Sequence, residues 1–238
     1  LCRLFETIGV VKKINLLNIQ FENGLSFYEI PLFRGAVIHQ LKERALNHLF
    51  HNHIQNGFRY RYPLIQYKVI GRKAALLCIN EGTEQIHAYF NNTNHLLHIG
   101  KRIDSYKVGT IDIHQFTMQV WDKWFEYSLI NWLALNSENH KKYNLLTSDI
   151  EKESFLEKIL QANILSFAKG IEWSIDKLVK VKISSIDKTI PVRYKTQRRL
   201  AFNIKFKTNV FLPNFIGLGK GVSIGYGTVK MVRKNNME

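Results

Sequence analysis

The sequence predicts an α+β protein whose first half follows the ferredoxin-like plan. Three observations lead there. Hydrophobic spacing changes between strand-like runs and helix-like three- and four-residue steps along one continuous chain. Read to about Asp112, the elements come in the order strand, helix, strand, strand, helix, strand. The 238 residues are 45% hydrophobic, enough for one large or two small cores and too apolar for a disordered chain.

Each element has its own signal. Val10–Phe21 is rich in Val, Ile, Leu and Phe and stops at the turn pair Asn23-Gly24, so it reads as a strand. Ile30, Phe33, Val37, Leu41, Ala45 and Leu49 recur at helical spacing, with Pro31 tolerated in the first turn, so a helix is expected over 30–49. Phe58–Ile70 reads as a strand with an edge or bulge at Pro63, and Lys73–Asn80 returns as its hairpin partner across Gly71. Thr83–Phe90 is a short helix and Leu96–Asp112 is strand-like. In the second half, His114–Leu135 carries Trp121, Trp124, Tyr127 and Trp132 and reads as strand-rich core. Ser148 and Glu151 form a capping box that opens a helix to about Ala168, with Phe155, Leu156, Ile159, Leu160, Ile164 and Phe167 as its apolar stripe. Alternating runs at Leu178–Ile183 and Ala201–Leu212 follow, and Val222–Val232 closes the chain as a further strand. No Pro, Gly or Ser linker divides the halves. The boundary is placed at residues 108/109, with both modules packed together.

The formal charge is +15, and its distribution says more than its sum. From Lys177 onward there are fourteen Lys and Arg against two acids. A clustered basic surface attracts phosphate backbones or anionic membranes. That region shows no amphipathic basic helix, so nucleic acid ranks above membrane; a solvated basic face would give the same counts. Arg193, Lys195, Arg198 and Arg199 form a basic hairpin-like segment suited to phosphates. Two cysteines, outside any C-x-x-C pair, suit a reducing compartment and supply no zinc site or disulfide framework. No apolar run reaches the length of a membrane helix and no export signal is evident, so a cytoplasmic location is expected.

Two stretches carry candidate chemistry. In the first, Gly217, Gly219, Gly221, Gly225 and Gly227 fall within eleven residues, with Lys220 and Ser223 among them. Such a loop can turn amide N–H groups toward an anion while a lysine adds charge. It fits neither G-x-x-x-x-G-K-[ST] nor the Rossmann pattern, because a strand follows it instead of a helix. A glycine turn that merely lets two strands approach closely is the competing reading.

In the second stretch, His51 and His53 bracket Asn52 just after the first helix. In extended backbone, residues two apart project to the same side with α-carbons roughly 6.5–7 Å apart, which suits two imidazoles flanking one phosphodiester. Imidazole can serve as either acid or base near neutral pH. Lys42, Arg44, Arg59, Arg61 and Lys220 are candidates to stabilise a phosphorane. The pair could also ligate a metal, but no nearby carboxylate or cysteine cluster completes a site. Solvent-facing loop histidines remain the plain alternative.

The spacing G-x-G-x-x-x-x-x-G-x-G over Gly217, Gly219, Gly225 and Gly227, near the C-terminus of a basic chain, resembles the signature loop of the RAMP superfamily of CRISPR-associated RNA-binding proteins. The run Phe50-His51-Asn52-His53 followed by Gly57–Pro63 resembles the CRISPR repeat-processing endoribonucleases of that superfamily. The resemblance implies tandem ferredoxin-like (RRM-like) domains. It further implies metal-independent cleavage of CRISPR repeat RNA to 5′-OH and 2′,3′-cyclic phosphate ends, with no metal or other cofactor. His51 and His53 would be acid and base, and Tyr60 the assisting tyrosine. Gly217, Gly219, Lys220, Gly221, Gly225 and Gly227, with Arg193, Lys195, Arg198 and Arg199, would hold RNA. A non-catalytic RNA-binding subunit of a CRISPR effector complex is the rival reading. Association with such a complex, and a homodimer, are left open.

Overall fold

The computed structural model describes residues 11–42, 53–54, 57–58, 62–92 and 95–232. The chain opens with β1 (Lys12–Gly24) and a short 3-10 turn, Phe27–Glu29, leading into α1 (Ile30–Lys42). Ile30, Phe33, Val37 and Leu41 form the buried stripe of α1, as their spacing requires; Ala45 and Leu49 lie outside the described residues. Two short pairing segments follow, β2 (His53–Ile54) and β3 (Gly57–Phe58). The strand expected over 58–70 is divided: Pro63 cannot donate to a ladder, and β4 (Ile65–Ile70) begins only beyond it. Next come β5 (Lys73–Ile79), α2 (Glu81–Asn92), a β6 (Leu96–Ile99) and β7 (Arg102–Ser105) hairpin about Gly100, and β8 (Val108–Met118).

The first sheet has the order β4-β5-β1-β8, which is the ferredoxin-like order. Alternation along β1 divides its side chains. Leu17, Ile19 and Phe21 enter a core with α1, Ile65, Tyr67, Leu76 and Tyr89. Ile14 and Leu16 point to the opposite face and join the core of the second unit. The two sheets therefore share buried apolar surface, the largest stabilising contribution in such a fold.

The second unit starts at β9 (Val120–Trp132) and continues through α3 (Ser137–Leu145) and α4 (Asp149–Gly170). The Glu151 carboxylate accepts from the Ser148 amide at 3.3 Å, and Leu156, Leu160, Ile164 and Phe167 are buried, as the capping box and stripe predict. The chain then forms a long hairpin, β10 (Val181–Tyr194) and β11 (Gln197–Val210), and ends its sheet with β12 (Thr228–Met231). The order β10-β11-β9-β12 repeats that of the first sheet. Only the helix between β11 and β12 is missing from the plan, and the glycine-rich segment fills its place.

Three expectations are corrected here. The sheets change at Gln119, since β8 pairs with β1 as far as Met118; the break placed at 108/109 falls at the start of β8. Hydrophobic alternation could not find the true break, because β8 is exposed along most of its length. Ile224 and Tyr226 are not in the last strand: Val222–Ile224 is a 3-10 turn, and positive φ at Gly225 and Gly227 delays the strand to Thr228. Of the three tryptophans read as core, Trp132 is buried but Trp124 is 51% exposed.

The units are joined by hydrogen bonds as well as by apolar packing. Tyr62 Oη donates to the Gly217 carbonyl at 2.8 Å. The Gly217 amide donates to Gln66 Oε1 at 3.0 Å, and Gln66 Nε2 donates to Tyr62 Oη at 2.9 Å. Two residues along β4, Lys68 is 1% exposed and its Nζ donates to Thr228 Oγ1 at 3.2 Å.

This seam can be tested through stability at two positions. Burial pushes the Lys68 ammonium down to about 7, so folding must release its proton between that pH and the ordinary lysine value of 10.5. The unfolded chain binds more protons in that window, and stability conferred by the wild-type residue rises with pH across it. Lys68→Met should therefore raise unfolding free energy by on the order of 1–4 kcal/mol at or below neutral pH, with the gain shrinking toward pH 10; denaturation at several pH values measures it. Gly227 has φ 62°, and an added Cβ would lie 1.8 Å from the Leu218 carbonyl oxygen. Gly227→Ala should cost roughly 1–3 kcal/mol in the same assay.

Candidate functional site

The glycine-rich segment spends most of its amides inside the protein. Gly217 donates to Gln66, Leu218 to the Gly227 carbonyl, Lys220 to Leu133, Gly225 to Val222, Tyr226 to Gly221, and Gly227 to Asn131. The amides of Gly219, Gly221, Val222 and Ser223 have no acceptor among the described residues. Close packing, the competing reading of the glycines, accounts for much of their need. A Cβ on Gly225 would come 2.6 Å from Ile30 Cδ1, so this glycine lets the loop touch α1 of the first unit.

Lys220 stands exposed beside this group of amides. Partial burial, then the charges of Arg199 and Lys195, push its ammonium below the ordinary lysine value. The loop lysine thus lies within electrostatic reach of two members of the basic hairpin. The other two members go elsewhere. Arg193 pairs with Arg198 across the hairpin, while Val192 pairs with Arg199 and Tyr194 with Gln197. Cross-strand partners share a sheet face, and neighbouring pairs alternate. Arg199 and Tyr194 therefore face the glycine loop, whereas the exposed Arg193 and Arg198 occupy the opposite face.

Aromatic residues and one arginine complete the surface, and sequence reasoning missed them as a group. Tyr226 makes edge contacts with Tyr194 at 5.6 Å and with Phe27 at 5.0 Å between ring centroids. Burial, then the neighbouring Tyr28 and Tyr194, raise the Tyr226 phenol above its ordinary value. Burial also raises Tyr194, opposed by Arg199 and by Arg34 of α1. Lys195 Nζ lies over the Tyr194 ring, 5.8 Å from its centroid, and Arg199 Nη2 donates to Ser137 Oγ at 3.3 Å and to Gln197 Oε1. Arg34 and Tyr28 come from the first unit; Tyr194, Lys195, Arg199, Lys220 and Tyr226 come from the second. No local motif links positions this far apart.

Of the histidine segment, the backbone of His53 lies in β2, which pairs antiparallel with β3 through His53–Phe58 and Ile54–Gly57. His51 and Tyr60 lie outside the described residues, as do Arg44, Arg59 and Arg61. Tyr62 holds the loop through Gly217 and packs on Phe167 with centroids 5.1 Å apart.

The chain matches family models along nearly its whole length. Residues 12–117 match the Cas6b N-terminal domain and residues 119–232 the Cas6b C-terminal domain. An uncharacterized protein of Methanocaldococcus jannaschii is 36% identical over 110 residues, 46% of this chain and 74% of that one. Among solved structures, a Cas6b superposes with a TM-score of 0.81 at 29% identity, covering 93% of this chain and 100% of the other. A second, described as the CRISPR RNA processing endoribonuclease Cas6b, gives 0.70 at 26% identity over the same shares. A type IV Cas6 crRNA endonuclease, at 11% identity and a TM-score of 0.52, shares the fold. The two domain models meet where the chain passes from the first sheet to the second, and the chain belongs to the Cas6b family.

Proposed function

We propose that this protein is a CRISPR RNA-processing endoribonuclease that binds repeat RNA and cuts it without a metal ion. The match to both Cas6b domains, with a similar solved Cas6b described as a CRISPR RNA processing endoribonuclease, carries the reading. The basic and aromatic surface at the seam supports it on physical grounds. Lys195, Arg199 and Lys220 supply charge, and the amides of Gly219, Gly221, Val222 and Ser223 can donate to phosphate oxygens. Arg193 and Arg198, on the other face of the hairpin, extend the basic surface for a longer RNA.

In this reading the N-terminal unit supplies the cutting chemistry. One of His51 and His53 removes the proton from a ribose 2′-OH, and that oxygen attacks the adjacent phosphorus. The other histidine protonates the departing 5′-oxygen. The products are a 2′,3′-cyclic phosphate and a 5′-OH, so no water and no redox partner is consumed. Each proton transfer is worth about 10²–10⁴-fold in rate. Tyr60 orients the reacting groups, and the cations neutralise charge on the phosphorane. In this reading the cutting takes place in the cytoplasm.

The test is cleavage of the repeat RNA in excess EDTA, with a 2′-deoxy substitution at the cut site as control. Metal-independent cutting abolished by the deoxy sugar and by His51→Ala with His53→Ala is expected. Tight binding without cutting by the unmodified protein would assign it to RNA-holding subunits instead, and cutting stopped by EDTA would overturn the metal-free chemistry. A second prediction concerns affinity. Replacing Lys195, Arg199 and Lys220 together by Ala should flatten the slope of log K against log salt by about 0.7 for each phosphate that is no longer neutralised. Titration at several salt concentrations reads it directly.

A further inference from the structure

At the end of the second sheet remote from Lys220 lies a groove of about 410 Å³. Val120, Trp121, Lys123 and Trp124 of β9 line one side, and Lys177, Leu178 and Lys180 the other. The register sets the distance. Val120 pairs with Val210 at one end of β11, while Gln197 at its other end faces Tyr194. The fourteen residues of β11 span this interval, about 40 Å at ~3.3 Å per residue.

The groove wall is built rather than incidental. Asn209, buried beneath it, accepts from the Lys180 amide at 2.7 Å and donates to the Leu178 carbonyl at 3.0 Å. Gln161 Nε2 holds the Val179 carbonyl at 2.6 Å. This clamping presents Leu178 with 70% of its surface exposed, across from Trp124 at 51%. Lys123 Nζ lies 4.9 Å from the Trp121 ring centroid, and the buried Trp121 indole N–H has no acceptor among the described residues. No ion pair engages Lys123, Lys177 or Lys180 among the described residues, and Asp122 is the one acid in the lining.

We infer that this groove is a second RNA-binding site, one that takes the unpaired single strand flanking the cut repeat. A half-exposed indole offers a stacking platform to any base, and the lysines around it suit the phosphates on either side. Duplex RNA keeps its bases stacked on one another and would leave Trp124 unused. The inference rests on the RNA-processing reading for the identity of the polyanion. The groove is too far from Lys220 to share a single phosphate with it, so it engages only RNA that extends several nucleotides beyond the first site.

The experiment compares the repeat alone with the same repeat carrying ten unpaired uridines, added at its 5′ end in one RNA and its 3′ end in another. One extended RNA should bind the wild-type protein about tenfold more tightly than the repeat alone and quench tryptophan fluorescence further. Trp124→Ala combined with Lys177→Glu and Lys180→Glu should abolish that increment and leave binding and cutting of the unextended repeat unchanged. Trp124→Phe, which keeps a stacking ring, should retain most of the increment. The inference fails if neither extension tightens wild-type binding, if the triple variant weakens all RNAs equally, or if a polyglutamate peptide occupies the groove in place of the extension. A wild-type protein that binds but does not cut would sink the catalytic reading alone, because this comparison is made on binding.

Discussion

The buried polar row along the start of the first sheet is what the rest of the structure depends on. Tyr62, Gln66 and Lys68 reach from β4 and its lead-in to Gly217 and Thr228 of the second unit. Each group is taken from water and needs its partner, since an unpaired buried donor or acceptor costs about 1–3 kcal/mol. Such bonds are directional, unlike apolar contacts. They fix the register of the glycine segment on β4, and with it the position of everything that segment carries.

The glycine segment consequently does two jobs. It replaces the helix that the ferredoxin-like plan would put between β11 and β12, so an irregular backbone lies where a smooth helix would otherwise cover the sheet. Its buried side is spent on packing and on hydrogen bonds to Gln66, Leu133 and Asn131. Its remaining side brings Lys220 near Lys195 and Arg199, and carries four amides without an acceptor among the described residues. In the proposed reading, packing and binding are two faces of one loop, and glycine suits both, because each requires backbone to come close to something else.

The second sheet distributes its chemistry to its two ends. One end joins the first unit and gathers arginine, lysine and tyrosine from both halves of the chain. The other carries exposed tryptophan and lysine on a wall braced by Asn209. Stiff strands between them hold the separation at a set length, as an extended polymer ligand would require. Among the described residues no helix is long and apolar enough to cross a membrane, and the exposed apolar groups closest to the groove lie on β9 and the segment before β10.

How much of this could be read from the sequence follows the range of the interactions. The stripes of α1 and α4, the Ser148–Glu151 cap, the β4–β5 hairpin about Gly71 and the basic hairpin at 193–199 are local patterns, and the sequence by itself determined them. It also determined that the glycines would form no helix and that the last quarter would be basic. It could not divide Arg199 from Arg193 and Arg198, because strand register decides which face each one meets. Nor could it bring Arg34 and Tyr28 to Tyr194 and Tyr226, find the break at Gln119, or tell the buried Trp132 from the exposed Trp124. Those outcomes depend on which surfaces meet when two sheets pack. That is a contest among contacts distant in sequence, and only the tertiary structure decided it.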